Sequence, residues 1–158
     1  MAGININLNQ LFRVIILLVL VFSTNLLSLS AETLTADTFK TKSGKNVQIS
    51  FIKHSSLMIT YDKRIIMIDP VSRYADFKTF PKADFILVTH EHGDHLDNSA
   101  IDLLSKNETM LVANEASIKK TGKGKVVKNG ETIKLSDKIS VEAVPAYNTT
   151  PDNQKFHP

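Results

Sequence analysis

Apolar positions along this chain follow short extended rhythms first and helical ones later. "VQISFI" at 47–52, "LMITYD" at 57–62 and "RIIMID" at 64–69 predict three short strands, the last two joined by a tight turn near Asp62 and Lys63. "FILVT" at 85–89 is continuously apolar, the composition of a strand covered on both faces in a layered α/β architecture. Beyond it, Asn98 is placed to cap a helix running to about Lys106, with Ile101, Leu103 and Leu104 on its buried face. "TMLVA" at 109–113 reads as another strand, and Asn114 as the cap of a short helix, "EASIKK", that Gly122 ends. "KVV" and "ETIKL" flank Asn129-Gly130, a strong hairpin signal, and "ISVEAVPAY" at 139–147 predicts the last strand. Residues 148–158 are polar and turn-rich.

The N-terminus departs from both rhythms. Leu11 to Leu29 is almost unbroken Leu, Ile, Val and Phe, followed by the small residues Ser28, Ser30 and Ala31. This is the form of a secretory signal peptide over residues 1–30, with Arg13 as its single basic side chain. An uncleaved membrane anchor at 11–29 is the alternative. Either reading places the remainder outside the cytoplasm, periplasmic or secreted. Residues 31–46 are polar and read as a linker or a short edge strand.

Composition narrows the field. With 158 residues, 42% of them hydrophobic, the chain has material for one ordinary domain core and is not a disordered tail. The net charge of +3 is dispersed apart from a minor cluster at Lys119, Lys120, Lys123, Lys125 and Lys128. Such a cluster reads as a solvated face, so no nucleic-acid partner is expected. The chain has no Cys, so any metal must be held by His and carboxylate groups.

Three of the five histidines, His90, His92 and His95, stand with Asp94 directly behind the apolar strand. That is the carboxyl end of a buried strand, where open α/β sheets place their ligand sites. The i, i+2 spacing lets His90 and His92 project to one side, and Gly93 offers backbone freedom where the chain curls toward the helix. Three imidazoles and a carboxylate desolvated together need a cation to offset the cost. Imidazole nitrogen and carboxylate oxygen suit a borderline divalent ion such as zinc, with manganese or iron also accepted.

"THEHGDHLD", Thr89 to Asp97, resembles the signature of the metallo-β-lactamase superfamily. "IKHSSLMITYDKRIIMIDP", Ile52 to Pro70, and "VPAYNTTPDNQKFHP", Val144 to Pro158, resemble its L-ascorbate-phosphate-lactonase-like branch. The resemblance implies an α/β (α+β) fold over 47–158, the first half of a four-layer αββα sandwich with one or two metal ions at its edge. It further implies that His90, His92 and a later His, for which His157 is the candidate, hold a first ion. Asp94 and His95 hold a second, with Asp94 orienting or deprotonating the nucleophile. His54 lines the mouth of the site or is a hydrogen-bonded turn residue. Asp69 orients the metal loop or caps the turn before Pro70.

The implied reaction is hydrolysis of an ester, lactone, amide or phosphodiester bond in a small-molecule substrate. Family members continue into a second half, so the resemblance also implies that this sequence is the N-terminal part of a longer hydrolase. A catalytically weak metal-binding chain that needs a partner chain stays open as the alternative. A nuclease role is the third reading, against which the dispersed charge and the export signal argue.

Overall fold

The computed structural model describes residues 34–146. The expected signal segment and His157 lie outside these residues. Seven strands form one sheet in sequential order: β1 (Thr35–Lys40), β2 (Asn46–Lys53), β3 (Ser56–Tyr61), β4 (Arg64–Ile68), β5 (Phe85–Val88), β6 (Met110–Ala113) and β7 (Lys125–Val126). Its first four strands are antiparallel and β4 to β7 run parallel. The change of direction has a chain-length cause. Two-residue turns at His54-Ser55 and Asp62-Lys63 return the chain at once, whereas β5 and β6 are reached through longer crossovers carrying a 3₁₀ turn (Phe77–Thr79) and α1 (Asn98–Leu104). The turn expected at Asp62 and Lys63 is present, with φ of +48° and +64°, the left-handed pair of a type I′ turn.

Both sheet faces are covered along the parallel strands. Met67, Ile86, Val88 and Leu111 pack under Phe77 and the α1 residues Ala100, Ile101 and Leu104, with Ile118 of α2 (Glu115–Thr121) beside them. On the opposite face, Ile66, Phe85 and Val112 pack against Leu135 of a two-stranded hairpin, β8 (Thr132–Ser136) with β9 (Ile139–Glu142). The continuous apolar run at β5 is thus explained by cover on two sides. Phe39 and Phe51 continue the hairpin-facing side over β1 and β2, where they stay 55% and 44% exposed. The result is a mixed α/β fold with helices on one side of a large sheet and strands on the other. Among the described residues no helix is long and apolar enough to cross a membrane.

One local expectation is decided and two are corrected. Residues 35–40, within the segment read as linker or edge strand, form the edge strand, paired with β2 along its length. The cap of α1 is Asp97 rather than Asn98: its Oδ1 accepts from the backbone N–H of Ser99 at 2.8 Å and of Ala100 at 3.4 Å. The carboxylate one residue earlier caps through one oxygen, its charge facing the positive end of the helix, while its other oxygen accepts the Ser72 N–H. Asn129-Gly130 does form a turn, closed by the Glu131 N–H on the Lys128 carbonyl at 2.9 Å, but no hairpin. The flanking strands diverge: β7 extends the large sheet and β8 starts the second layer. Asn114 and Gly122 do bound α2, Gly122 at φ +69°.

Candidate metal centre

Two turns and one loop meet at the carboxyl end of the parallel strands. The loop is residues 89–97, leaving β5. The turns are His54-Ser55 and the end of β4 at Asp69, and both site residues there adopt left-handed backbone, His54 at φ +54° and Asp69 at φ +42°. Such conformations cost a non-glycine residue free energy and persist where surrounding bonds hold them. Asp69, 1% exposed, is held by its own N–H on the Leu87 carbonyl (2.9 Å) and by the Ser56 hydroxyl on its carbonyl (2.5 Å).

Hydrogen bonds around Asp69 fix the protons of two imidazoles. The carboxylate can only accept. Oδ1 takes the Thr89 N–H at 2.7 Å, and Oδ2 takes the Thr89 hydroxyl at 2.8 Å and His95 Nδ1–H at 2.8 Å. Thr89 has spent its single proton on Asp69, so at 3.0 Å it accepts from Nδ1–H of His90. Both rings therefore carry the proton on Nδ1 and the lone pair on Nε2. This is the usual arrangement by which a partner behind the ring turns the other nitrogen toward a cation.

Ahead of that relay the donors converge. His90 Nε2 lies 3.1 Å from His92 Nδ1, with ring centroids 4.7 Å apart, and the His90 and His95 centroids are 4.0 Å apart. Two nitrogens bound at about 2.0–2.1 Å to one tetrahedral ion would sit ~3.3 Å apart. Asp94 Oδ2 is 3.7 Å from His95 Nε2 and 3.2 Å from His54 Nε2. His54, Asp94 and His95 each offer a ligand atom within 4.8 Å of the others. The Asp94 carboxyl sits below its ordinary range because its own backbone N–H bonds it, with the nearby His95 and His54 adding to the effect against a small burial penalty. A carboxylate ready in its charged form, beside imidazoles whose lone pairs are turned inward, fits a divalent cation.

The loop is clamped from behind. Asn114, whose Oδ1 caps α2 at Ser117, donates its Nδ2–H to Glu91 at 3.2 Å, and Lys120 Nζ donates to the Glu91 carbonyl at 2.9 Å. On the far side Asp97 accepts the Ser72 N–H at 2.8 Å while capping α1.

The structure brings His54, Asp69, His90, His92, Asp94 and His95 to one place, and His157 lies outside the described residues. Gly93 is corrected: it is not left-handed, and a Cβ there would meet nothing within 4 Å, so the backbone does not require glycine. Thr89, Ser55 and Glu91 were not singled out in sequence. Thr89 alone left a signal, a hydroxyl between the buried strand and His90.

The profile of the Beta-lactamase superfamily domain matches residues 48–158. A protein from Parabacteroides distasonis, named as a metal-dependent hydrolase, has a solved structure that superposes with a TM-score of 0.75 at 61% identity, covering 79% of this chain and 57% of that one. A protein of the same description from Nanoarchaeum equitans is 28% identical over 120 residues, 71% of this chain and 51% of that one. The metallo hydrolase Igni18 of Ignicoccus hospitalis shares the fold, with a TM-score of 0.51 at 20% identity over 67% of this chain and 51% of that one. The chain spans about half the length of these relatives. With the profile covering most of the chain over the same residues that build the His/Asp centre, the chain belongs to the beta-lactamase superfamily.

Proposed function

We propose that this chain is part of a metal-dependent hydrolase acting on an ester, lactone, amide or phosphodiester bond of a small molecule. The observation that carries the reading is the relay from Asp69 through Thr89, which turns Nε2 of His90 and His95 toward the space shared with His92 and Asp94. His90 and His92 would hold one ion and Asp94 and His95 a second, with His157 a further ligand for the first. Zinc is the cation that this mixed imidazole and carboxylate set suits best. A cation held there would supply Lewis acidity and would bring the pKa of a water down to about 7. The chain's own residues do the rest. Asp69 and Thr89 keep the imidazole protons behind the rings, the Glu91 and Asp97 clamps hold the loop, and Asp94 keeps its charge to orient the attacking water. The apolar segment at 11–29 supports export of the protein.

The test is metal content and a hydrolase substrate panel on the full chain. The expected result is bound zinc and metal-dependent turnover, both lost in the His90→Ala/His92→Ala double variant. Metal content unchanged by that substitution would refute the assignment, and bound zinc without turnover would favour the weak metal-binding chain instead.

A further inference from the structure

The β2–β3 turn holds a feature that hairpin geometry does not require. A two-residue turn takes left-handed backbone at its first position, most cheaply from Gly, Asn or Asp, and this one carries histidine at φ +54°. The second hairpin, β3–β4, shows the ordinary solution, with Asp62 in the corresponding first position. At the site turn the imidazole is 47% exposed, so burial does not compensate for the strain. Its Nε2 instead lies 3.2 Å from Asp94 Oδ2, and its ring stands edge-on to His95 at 5.2 Å and tilted against Tyr74 at 5.5 Å. The next residue of the turn, Ser55, places Oγ 3.0 Å from His95 Nδ1, where it shares the proton that Nδ1 gives to Asp69.

A simple pair between His54 and Asp94 accounts for only two of the three groups. Asp94 Oδ2 also faces His95 Nε2 at 3.7 Å, and the three ligand atoms lie within 4.8 Å of one another. His95 Nδ1 is already committed to Asp69, which leaves its Nε2 3.7 Å from the oxygen that His54 Nε2 also approaches, at 3.2 Å. Separations of 3.2 and 3.7 Å around one oxygen bracket the ~3.3 Å expected between ligands of a tetrahedral ion.

We propose that His54 supplies, through Nε2, a third side-chain ligand to the cation that Asp94 and His95 hold. The inference rests on the metal-centre reading above and adds to it a ligand from the β2–β3 turn, forty residues before Asp94.

The experiment titrates the full chain, stripped of metal, with Co²⁺ alone, following visible absorption and equilibrium dialysis. His54→Asn and His54→Gly both tolerate the turn's backbone while removing the imidazole. The expected result is a loss of at least about 100-fold in affinity for one ion with an altered Co²⁺ absorption, since even partners behind a ligand are worth 10–100-fold. Metal-free thermal stability should stay unchanged or rise, Tyr74→Phe should bind as the unaltered chain does, and added imidazole should restore the absorption in His54→Gly. Affinities within about threefold of the unaltered chain in both variants would overturn the inference and leave the metal centre standing. Weakened binding that imidazole does not rescue would also overturn it, marking His54 as a structural residue. An unaltered chain that takes up no Co²⁺ would sink both readings.

Discussion

Replacing Asp69 with Asn separates a turn cap from a group that orients the metal loop. Asn is nearly isosteric and tolerates the left-handed backbone at φ +42°. Its Oδ1 can still accept the Thr89 N–H, now 2.7 Å away. What changes is the other atom. Where the carboxylate accepted the Thr89 hydroxyl and His95 Nδ1–H, both at 2.8 Å, the amide presents two N–H donors. Thr89 then accepts from Asn and turns its own proton to His90 Nδ1, while His95 must accept at Nδ1. Both imidazoles move their proton to Nε2, the nitrogen turned toward the proposed cation site. No buried polar atom is left without a partner, so metal-free stability should change by only about 1 kcal/mol. Affinity should fall by about 100-fold, about 2.7 kcal/mol, the upper end of what such partners contribute, because two rings are affected together. Chelator competition with Zn²⁺ measures the affinity, urea unfolding in EDTA the stability, and ¹⁵N correlation spectra of the imidazoles the tautomers. Zinc affinity within threefold, with rings still protonated on Nδ1, would refute the relay.

The remaining predictions concern the scaffold. Asp84, 7% exposed, accepts the Ile65 N–H, Arg64 and Lys106, each at 2.9 Å; burial pushes its carboxyl up, but these three outweigh it and hold the group below its ordinary range. Asp84→Ala should cost about 2 kcal/mol in urea unfolding and not the larger penalty of a fully buried pair, since Arg64 and Lys106 can turn to water; a loss under about 0.5 kcal/mol would contradict the clamp. Gly124 sits at φ +115°, and a Cβ there would meet Ile118 Cδ1 at 2.7 Å and Leu111 at 3.0 Å, so Gly124→Ala should destabilise by about 2–3 kcal/mol while Gly93→Ala stays within about 0.5 kcal/mol. Equal effects in thermal melts would show that neither glycine is read correctly. Lys45 and Lys138 bond Asp62 at 2.6 and 2.9 Å and lower it from 3.8 to about 2. The folded state therefore binds fewer protons than the unfolded one, and the contribution is complete above pH 3.8 and lost as pH falls toward 2. Asp62→Asn keeps the left-handed turn and should flatten the stability profile in that window, an effect that shrinks in high salt; an unchanged acid limb would disprove it.

Reading from sequence worked where one residue type answers one local demand. The continuous run at 85–89 meant a strand with two covered faces, and Asn114 and Gly122 bounded a helix, because amide caps and left-handed glycines act on backbone a few residues away. His90, His92, Asp94 and His95 were legible as one loop for the same reason. Asn129-Gly130 misled because a turn sequence sets the bend and not the partner of the strand that follows; β8 found its partner in β9. Asp97 took the cap from Asn98 because its second oxygen also reaches the Ser72 N–H, twenty-five residues away.

The sequence by itself determined most of the elements, and the imidazole and carboxylate groups of the loop with their order along it, all of them consequences of short-range periodicity and side-chain chemistry. Only the tertiary structure decided that His54 faces Asp94 across forty residues, that Thr89 passes the orientation of Asp69 to His90, and that α2 holds the loop through Glu91. Those contacts join segments that share one end of the sheet but are distant in the chain. Hydrogen bonds only a few ångströms long exist once strand order and register are set, and no local pattern of residues encodes them.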